Sequence, residues 1–234
     1  MESAKQHTHH HEQAKNPAEQ VVTAKNKWVY VSVALLAILL VSVVSNFFMI
    51  SKLTNYVGPP KVTGVGGPGF IGKADAPLTL TMYTDFQCPY CASFFTGAFP
   101  GIKENFIDTG LLKFEVKSFP LSFHSNAKIA ANAAKCAEAQ GSFLDYEAEL
   151  YANQGALDRA SLIKYARGLS LDEAKFTECL DSSAYQDEID AEASEGASSG
   201  ISGTPGFLLN GESLPLGASP YSEFASALST ALGN

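Results

Sequence analysis

Hydrophobic residues are spaced differently in successive parts of this chain, and each spacing predicts a different kind of element. Residues 28–50 form a run of 23 residues without a charge. A helix of this length spans roughly 34 Å, which is enough to cross a bilayer. Residues 1–27 show no apolar periodicity, and residues 51–69 are rich in Gly and Pro. These patterns predict a polar tail, a membrane-spanning helix and an irregular linker.

The chain beyond residue 70 switches between strand and helix patterns, which predicts an α/β domain over 70–234. Alternating apolar and polar residues predict strands over 78–86 and 111–119. Between these strands, helical spacing predicts a helix over 90–108 with a kink at Pro100.

A block of helices is predicted over about 124–198. Ala residues recur at helical spacing at its start, Asp158 is placed to cap a helix, and Ser170-Leu-Asp-Glu has the sequence of a capping box. A hairpin that turns at Asn210-Gly211 and a closing helix over 220–232 complete the pattern. The expected fold is a sheet with a helical insertion.

Composition limits the class of partner. The chain has 234 residues, of which 46% are hydrophobic, and 16 basic residues against 24 acidic ones give a net charge of −8. Phosphate binding needs a basic face, so nucleic acid is not an expected partner. The sequence has no phosphate loop and no Gly-x-Gly-x-x-Gly motif at a strand–helix turn, and we therefore expect no nucleotide cofactor.

The motif Cys88-Pro89-Tyr90-Cys91 lies where the first predicted strand ends and a helix begins. A CxxC at such a junction is the site of a thiol–disulfide redox couple. Cys88 would stand at the helix N-terminus, where unpaired N–H groups and the helix dipole favour a thiolate. Pro89 would take the first helical position, where its missing N–H costs nothing. We predict that Cys88 and Cys91 are catalytic, with Cys88 the exposed member.

A metal site is the alternative interpretation of this motif. Structural zinc sites need two such pairs, or one pair with two His residues. Cys136 and Cys179 are single and far apart, and His124 is the only histidine outside the N-terminal tail. We therefore expect no metal at the CxxC. The histidines at positions 7, 9, 10 and 11 could bind a transition metal, but a flexible polar tail is the preferred interpretation.

A signal peptide is the alternative to a retained anchor over 28–50. The preceding region is 27 residues long and no Ala-x-Ala site follows the run, which favours an anchor. Three lysines shortly before the run and two shortly after it weakly favour a cytoplasmic N-terminus. Four cysteines, an even number, suit an oxidising compartment for the rest of the chain.

Four short motifs give the domain a resemblance to a known family. They are Gly-Lys-Ala-Asp-Ala-Pro at 72–77, Asp-Phe-Gln-Cys-Pro-Tyr-Cys at 85–91, Phe-Pro-Leu at 119–121 and Gly-Thr-Pro-Gly-Phe at 203–207. With the helical block between them, the chain resembles the membrane-anchored DsbA-like disulfide oxidoreductases. The resemblance covers roughly residues 70–233 and implies a thioredoxin fold with an inserted helical subdomain.

This resemblance implies roles for further residues. Pro205 would be a cis proline that faces the redox pair, and Thr204, Pro205 and Tyr90 would shape a groove for client peptides beside Pro89. Cys136 and Cys179 would form a structural disulfide, for which two buried free thiols are the alternative.

Two positions depart from the family pattern. Relatives often carry a buried carboxylate six residues before the first cysteine, but this chain has Met82 there. Asp85 is the nearest acid and a candidate for proton transfer, or only a turn residue. The dipeptide Pro-Tyr stands where the best-known strong oxidants of this family carry Pro-His. His124 is expected to cap a helix or lie on the surface.

The expected activity is oxidation of dithiols in exported, cysteine-containing client proteins. The resemblance implies a membrane partner that restores the disulfide, a quinone-linked reoxidase of DsbB or vitamin-K-epoxide-reductase type. Two alternatives stay open: a disulfide reductase or isomerase fed by a membrane electron donor, and a non-catalytic module that binds thiol proteins. Metal delivery by the CxxC is a third.

Overall fold

The computed structural model describes residues 69–233 and six positions nearer the N-terminus, namely Val33, Leu35, Leu36, Ile38, Leu39 and Ser42. These six positions are helical and exposed. Within the described part of the chain, no helix combines the length and the apolar character that a membrane span requires. The predicted tail, most of the predicted anchor and almost all of the predicted linker lie outside the described residues.

A five-stranded mixed sheet forms the centre of the domain, with the strand order β1-β3-β2-β4-β5. β2 and β3 are parallel, and the other neighbouring pairs are antiparallel. The strands are β1 (Phe70–Ile71), β2 (Leu78–Thr84), β3 (Leu112–Ser118), β4 (Gly206–Leu209) and β5 (Glu212–Ser213). The two strands predicted over 78–86 and 111–119 are therefore confirmed as the central parallel pair.

The burial patterns explain why these strands form. Buried and half-buried residues alternate along β3, whereas six of the seven residues of β2 are buried. A central strand covered on both faces needs such a continuous run. The pairing of Leu78 with Leu112 and of Thr84 with Ser118 fixes the register, so β2 ends beside the loop that carries the CxxC.

The helix predicted over 90–108 is divided into three segments, α1 (Pro89–Thr96), α2 (Ala98–Ile102) and a π-helical turn (Lys103–Ile107). The break falls at Gly97, so the prediction of a kink at Pro100 is wrong by three residues. Proline has no N–H to donate to the carbonyl four residues earlier, and its ring clashes with that carbonyl. The first helix therefore ends at Thr96, and Pro100 lies in the first turn of α2.

The predicted helical insertion is present as five helices between β3 and β4. They are α3 (Ala127–Glu138), α4 (Phe143–Ala152), α5 (Arg159–Gly168), α6 (Glu173–Asp181) and α7 (Gln186–Ser198), and α8 (Tyr221–Ala231) closes the domain. The Asp158 side chain accepts hydrogen bonds from the backbone N–H groups of Ala160 and Ser161, so the predicted cap of α5 is confirmed.

The capping box predicted to begin at Ser170 is wrong. Helix α6 begins at Glu173, and its cap, two residues after Ser170, is Asp172, whose side chain accepts from the backbone N–H of Lys175. Ser170 has a φ of 62° and lies in the turn before the helix, where it cannot act as the N-cap. The Asp172 carboxylate lies nearer to the start of the helix than Ser170 does, and because it is charged it is a stronger acceptor than the Ser170 hydroxyl.

The core behind the CxxC is aromatic. The Phe94 ring on α1 packs against Phe207 on β4 and Phe224 on α8, with centroid distances of 4.8 and 5.2 Å. The hairpin predicted around Asn210-Gly211 is confirmed, with φ of 51° and 84° at the two turn residues. α1 is thus held by the sheet and by α8, which fixes the position of the cysteine at its start.

Candidate redox site

Cys88 is the N-cap of helix α1. Its φ of −74° and ψ of 118° are extended, and Pro89 takes the first helical position. The Cys88 carbonyl accepts hydrogen bonds from the backbone N–H groups of Cys91 and Ala92, at 3.1 and 3.3 Å. The sulfur therefore lies at the positive end of a helix of eight residues, where a thiolate is favoured.

The pKa of the Cys88 thiol is lowered to about 5. The largest cause is a hydrogen bond from the Cys91 side chain, and burial, which opposes ionisation, comes second. Thr204 and the backbone N–H groups of Cys91 and Tyr90 add further donors. Because every donor favours the charged form, this site promotes ionisation of the Cys88 thiol.

Cys91 has the opposite character, because burial raises the pKa of its thiol above the usual value. The hydrogen bond with Cys88 raises it further, whereas the Asp85 backbone and the Thr84 hydroxyl lower it. Cys91 is 0% exposed and Cys88 is 4% exposed. Both cysteines are thus buried, so the prediction of an exposed Cys88 is wrong in degree, although Cys88 is the more exposed of the two.

A loop before β4 covers the sulfur of Cys88. The Cys88 thiol donates to the Thr204 carbonyl at 3.2 Å, and the Thr204–Pro205 peptide bond is cis. Within residues 69–233, the buried hydroxyl of Thr204 has no hydrogen-bond partner in this dithiol form. It is a donor that a Cys88 thiolate can engage, which accounts for its lowering of the pKa of Cys88.

Tyr90 lies beside this sulfur on the outer surface, and 66% of it is exposed. Phe123, in the loop after β3, is also exposed, to 76%. Its ring contacts the ring of His124 with a centroid distance of 4.5 Å. Exposed aromatic side chains near a reactive group suit contact with another chain.

Asp85 is 2% exposed and its carboxylate joins two loops. It accepts from the backbone N–H groups of Gln87 and Leu121 and contacts Nδ1 of His124, each at 2.8 Å. His124 is therefore a partner of Asp85, and neither a helix cap nor a surface residue as expected. The loop that begins with the Phe-Pro-Leu motif thus meets the segment just before the CxxC.

Gln154 is a further site residue that sequence reasoning missed. Its side-chain amide, just beyond α4, donates to the carbonyls of Phe86 and Cys88, both at 2.8 Å. These bonds hold the segment between β2 and α1. Nothing local marks Gln154, because its partners lie 68 and 66 residues earlier in the chain.

The remaining two cysteines lie away from this site. Cys136 on α3 and Cys179 on α6 form a disulfide with a Cα–Cα distance of 5.9 Å. The bridge ties two helices of the insertion together. Among the described residues, no group of three or more His, Cys, Asp or Glu side chains is placed to hold a metal ion. The histidines of the N-terminal tail lie outside the described residues.

Comparison with known proteins supplies the family. The family model described as Thioredoxin matches residues 65–229. The chain belongs to the thioredoxin family. The match includes the CxxC, the cis proline and the whole helical insertion.

Solved structures narrow the fold to the DsbA-like form of this family. The chain is similar to oxidised BdbD from Bacillus subtilis, with a TM-score of 0.64 and 24% identity over 73% of this chain and 99% of that one. It is similar to α-DsbA1 from Wolbachia pipientis, with a TM-score of 0.62 and 22% identity over 70% and 90%. It is also similar to DsbA from Chlamydia trachomatis, with a TM-score of 0.63 and 18% identity over 76% of this chain and 97% of that one.

Curated relatives carry a different name. The chain is 36% identical over 141 residues to the Na(+)/H(+) antiporter NhaA 3 of Salinispora tropica. It is 35% identical over 155 residues to the Na(+)/H(+) antiporter NhaA of Herminiimonas arsenicoxydans. These matches span 60% and 66% of this chain but only 21% and 23% of the antiporters. The name of the whole antiporter is therefore not carried over to this chain.

Proposed function

We propose that this protein is a thiol–disulfide oxidoreductase that introduces disulfides into exported proteins through Cys88 and Cys91. The observation that carries the proposal is the opposite shift of the two thiol pKa values, lowered to about 5 at Cys88 and raised at Cys91. A thiolate is the attacking and leaving form in disulfide exchange, so the pair is divided into a reactive and a retained sulfur.

In the oxidised protein, a client thiolate attacks the Cys88 sulfur of the Cys88–Cys91 disulfide. The S–S bond breaks, Cys91 leaves as a thiolate, and client and enzyme are joined through Cys88. The second client thiolate then attacks the client sulfur of this mixed disulfide, and Cys88 leaves as a thiolate. The client is oxidised by two electrons and the enzyme becomes the dithiol.

The proposed direction follows from the stability of the Cys88 thiolate. Groups that stabilise the reduced form make the disulfide more oxidising, because reduction then releases more free energy. Five groups or interactions act on the pKa of Cys88, and all but burial lower it. A pair with these properties donates its disulfide to client dithiols rather than reducing client disulfides.

Client binding is proposed at the surface formed by Pro89, Tyr90, Thr204 and Pro205. Tyr90 offers an exposed aromatic face, and the Thr204–Pro205 segment crosses directly over the Cys88 sulfur. An extended client segment can add its backbone to such a segment as a strand does. These four residues would place the client cysteine at Cys88 without contacting Cys91.

The proposed location is the outer side of a cell membrane, with residues 28–50 as a single-pass anchor and the tail 1–27 in the cytoplasm. In this stretch, the five described aliphatic side chains are helical and 57–65% exposed, as lipid-facing side chains are. The Cys136–Cys179 disulfide also suits an oxidising compartment. A quinone-linked membrane reoxidase of DsbB or vitamin-K-epoxide-reductase type is the proposed partner that restores the disulfide.

The reduction potential of the full-length protein in mild detergent, equilibrated with glutathione buffers, tests the direction. A value near about −120 mV, as for a strong oxidant, is expected, and a value near about −270 mV, as for thioredoxin, would assign the protein to the reductases. Transfer of a disulfide to a dithiol peptide tests the chemistry. Cys88→Ser should abolish transfer, whereas a module that only binds thiol proteins would keep its binding.

A further inference from the structure

Phe123, in the loop between β3 and α3, is an exposed side chain that the proposed client surface does not include. It is 76% exposed, and it is the only exposed Phe among residues 69–233. Burial of a side chain of this size is one of the larger single contributions to the stability of a fold. The domain gains little of this stability from Phe123, so the ring is available for contact with another chain.

A buried carboxylate holds the loop of Phe123 against the turn before the CxxC. One oxygen of Asp85 accepts from the backbone N–H of Leu121 and lies near Nδ1 of His124, both at 2.8 Å. The other oxygen accepts from the backbone N–H of Gln87, also at 2.8 Å. Asp85 therefore joins the residues on either side of Phe123 to the segment that leads into the CxxC.

The ring of Phe123 is held in a defined direction. The backbone N–H of His124 donates to the Leu121 carbonyl at 3.0 Å, so Phe123 lies in a tight turn. Its ring meets the His124 ring edge-on, with an interplanar angle of 68°. The next part of the loop is fixed as well, since the backbone N–H of Asn126 donates to the side chain of Gln87. A side chain that is ordered before binding loses less conformational entropy when a partner arrives.

The order of the strands places this loop on the opposite side of the CxxC from the cis proline. β2 lies between β3 and β4. The register shows that β3 ends, and β4 begins, at the edge of the sheet where β2 leads into the CxxC. Ligands of open α/β sheets bind beyond this kind of edge, at the carboxyl ends of the parallel strands. The loop of Phe123 and the Thr204–Pro205 segment thus border Cys88 from two sides.

The three segments that meet at this edge carry no charged side chain of Asp, Glu, Lys or Arg. The chain has a net charge of −8, yet residues 86–102, 119–127 and 196–211 contain none of these four residue types. The centres of protein interfaces are depleted in charged residues and enriched in aromatic ones. The exposed rings of Tyr90 and Phe123 on these segments therefore fit an uncharged, apolar segment of a partner.

We propose that Phe123 is a specificity-determining residue, which binds an apolar client side chain close to the reacting cysteine, and that Asp85 and His124 position it. The inference rests on the proposed function. A client laid along the Thr204–Pro205 segment places its cysteine at Cys88, and a neighbouring side chain then reaches the opposite border of the site. Contact with the Phe123 ring favours clients with Leu, Ile, Val or Phe there over clients with Gly.

Disulfide transfer to a matched set of dithiol peptides tests this role. The oxidised full-length protein in mild detergent is mixed with peptides that carry Leu at one of the four positions nearest to one cysteine, or Gly at all four. Second-order rate constants of single-turnover oxidation are compared. At the preferred position, the wild type should oxidise the Leu peptide about tenfold faster than the Gly peptide. Phe123→Ala should slow the Leu peptide about tenfold and leave the Gly peptide unchanged.

Two further variants control for the loss of an apolar side chain. Phe123→Leu keeps an apolar group at this position and should keep most of the preference for Leu. Leu111→Ala removes another exposed apolar side chain, just before β3 and thus at the opposite edge of the sheet, and should keep the wild-type ratio of the two rate constants. A wild type without any preference overturns the inference, as does a wild-type ratio in F123A.

His124→Ala tests the positioning of the ring. Phe123 then loses the ring on which it packs, and the loop loses one of its contacts with Asp85. The rate constant for the Leu peptide should fall, while that for the Gly peptide stays the same. A merely structural role of His124 would lower both rate constants equally. Either this result or an unchanged ratio overturns the positioning role, and F123A decides the client contact if H124A is misfolded.

Failure of the proposed function gives a different result. If the wild type transfers no disulfide to any of the peptides, the proposed function is wrong and this inference with it. If the wild type is active, Cys88→Ser is inactive and F123A keeps the wild-type ratio, only the inference is wrong.

Discussion

Two chemically identical side chains, three residues apart, acquire opposite properties in this protein. Cys88 stands at the open end of α1, where N–H groups and the Thr204 loop face its sulfur, and the pKa of its thiol is lowered to about 5. Cys91 is turned into the core, and burial raises the pKa of its thiol. The division of roles within the pair therefore comes from the direction in which each residue leaves the first turn of the helix.

Replacement of Thr204 by Val should raise the pKa of Cys88 by about one unit. The hydroxyl of Thr204 helps to lower this pKa, and a hydrogen bond to a charged group is worth about 1.5 kcal/mol or more. The rate of alkylation of the reduced protein by iodoacetamide, measured against pH, reports the thiolate directly. Thr96→Val, an equal change at an exposed position of α1, should leave the titration unaltered. An unchanged pKa of Cys88 in T204V would show that the other donors lower this pKa without help from the Thr204 hydroxyl.

Single residues were predictable where the signal is local. The CxxC, its Pro and the helix that follows lie within one short segment, and spacing alone placed the reactive sulfur at a helix end. His124 and Gln154 were not predictable in this way, since they reach the site from 39 and 66 residues away in the sequence. The sequence around a histidine or glutamine in a loop contains no pattern from which its hydrogen-bond partner can be predicted.

At the scale of elements, the helical insertion supports the site as well as covering the sheet. α4 supplies Tyr151, whose ring packs on Phe86 and Phe95 with centroid distances of 5.1 and 4.8 Å. Gln154, two residues beyond the end of α4, donates to the carbonyls of Phe86 and Cys88. The insertion itself is tied by the disulfide between α3 and α6, so the position of α4 depends on a covalent link outside the redox site.

Loss of this disulfide should destabilise the domain without removing the reactive pair. For a separation of 43 residues, the loop-entropy model gives about 4 kcal/mol as an upper value. Urea unfolding of the Cys136→Ala, Cys179→Ala double variant should show this loss as a lower midpoint. Alkylation of Cys88 in the folded variant should keep its wild-type pH dependence. An unchanged midpoint would mean that packing alone holds the two helices.

The start of α6 offers a second test at this scale. Asp172→Ala should cost about 1 kcal/mol, because the side chain accepts from the Lys175 backbone N–H as the N-cap. Ser170→Ala should change the free energy of unfolding by less than about 0.3 kcal/mol, since Ser170 lies outside the helix. Thermal unfolding of both variants measures the two values. A larger effect at Ser170 would restore the capping box that the sequence suggested.

The wrong predictions of elements share a physical cause. Spacing located the helix around Pro100 and the cap near Ser170 to within three residues. The choice between neighbouring positions depended on backbone geometry, namely the carbonyl that Pro100 would meet and the positive φ of Ser170. Such geometry is decided by packing, which a linear pattern does not contain.

At the scale of the whole molecule, the order of strand and helix patterns along the chain was sufficient to predict the fold. Each pattern is local, and the parallel pairing of β2 with β3 follows because a helix connects them.

The stability of the whole domain should depend on its redox state in a pH-dependent way. In the reduced protein, the pKa of Cys88 is about 5, below its usual value of 9.0. Such a group contributes stability that is complete above the unfolded pKa and is lost as the pH falls through the folded pKa. The disulfide form has no such group. The excess stability of the reduced over the oxidised form should therefore grow between pH 5 and pH 8.

Thermal unfolding of both redox forms of the full-length protein, followed by circular dichroism, measures this difference. The gain in Tm of the reduced form should be larger at pH 7 than at pH 5 by about 4 °C. Cys91 also titrates only in the reduced form, but its thiol keeps its proton over this pH range because its pKa is raised. All other titrating groups are present in both forms, so their contributions largely cancel in the difference. Reduced Cys88→Ser, which has no thiolate at this position, should lack the gain. A difference that stays constant with pH would mean that the Cys88 thiolate is not held more strongly by the folded domain, and the proposed oxidising direction would lose its physical basis.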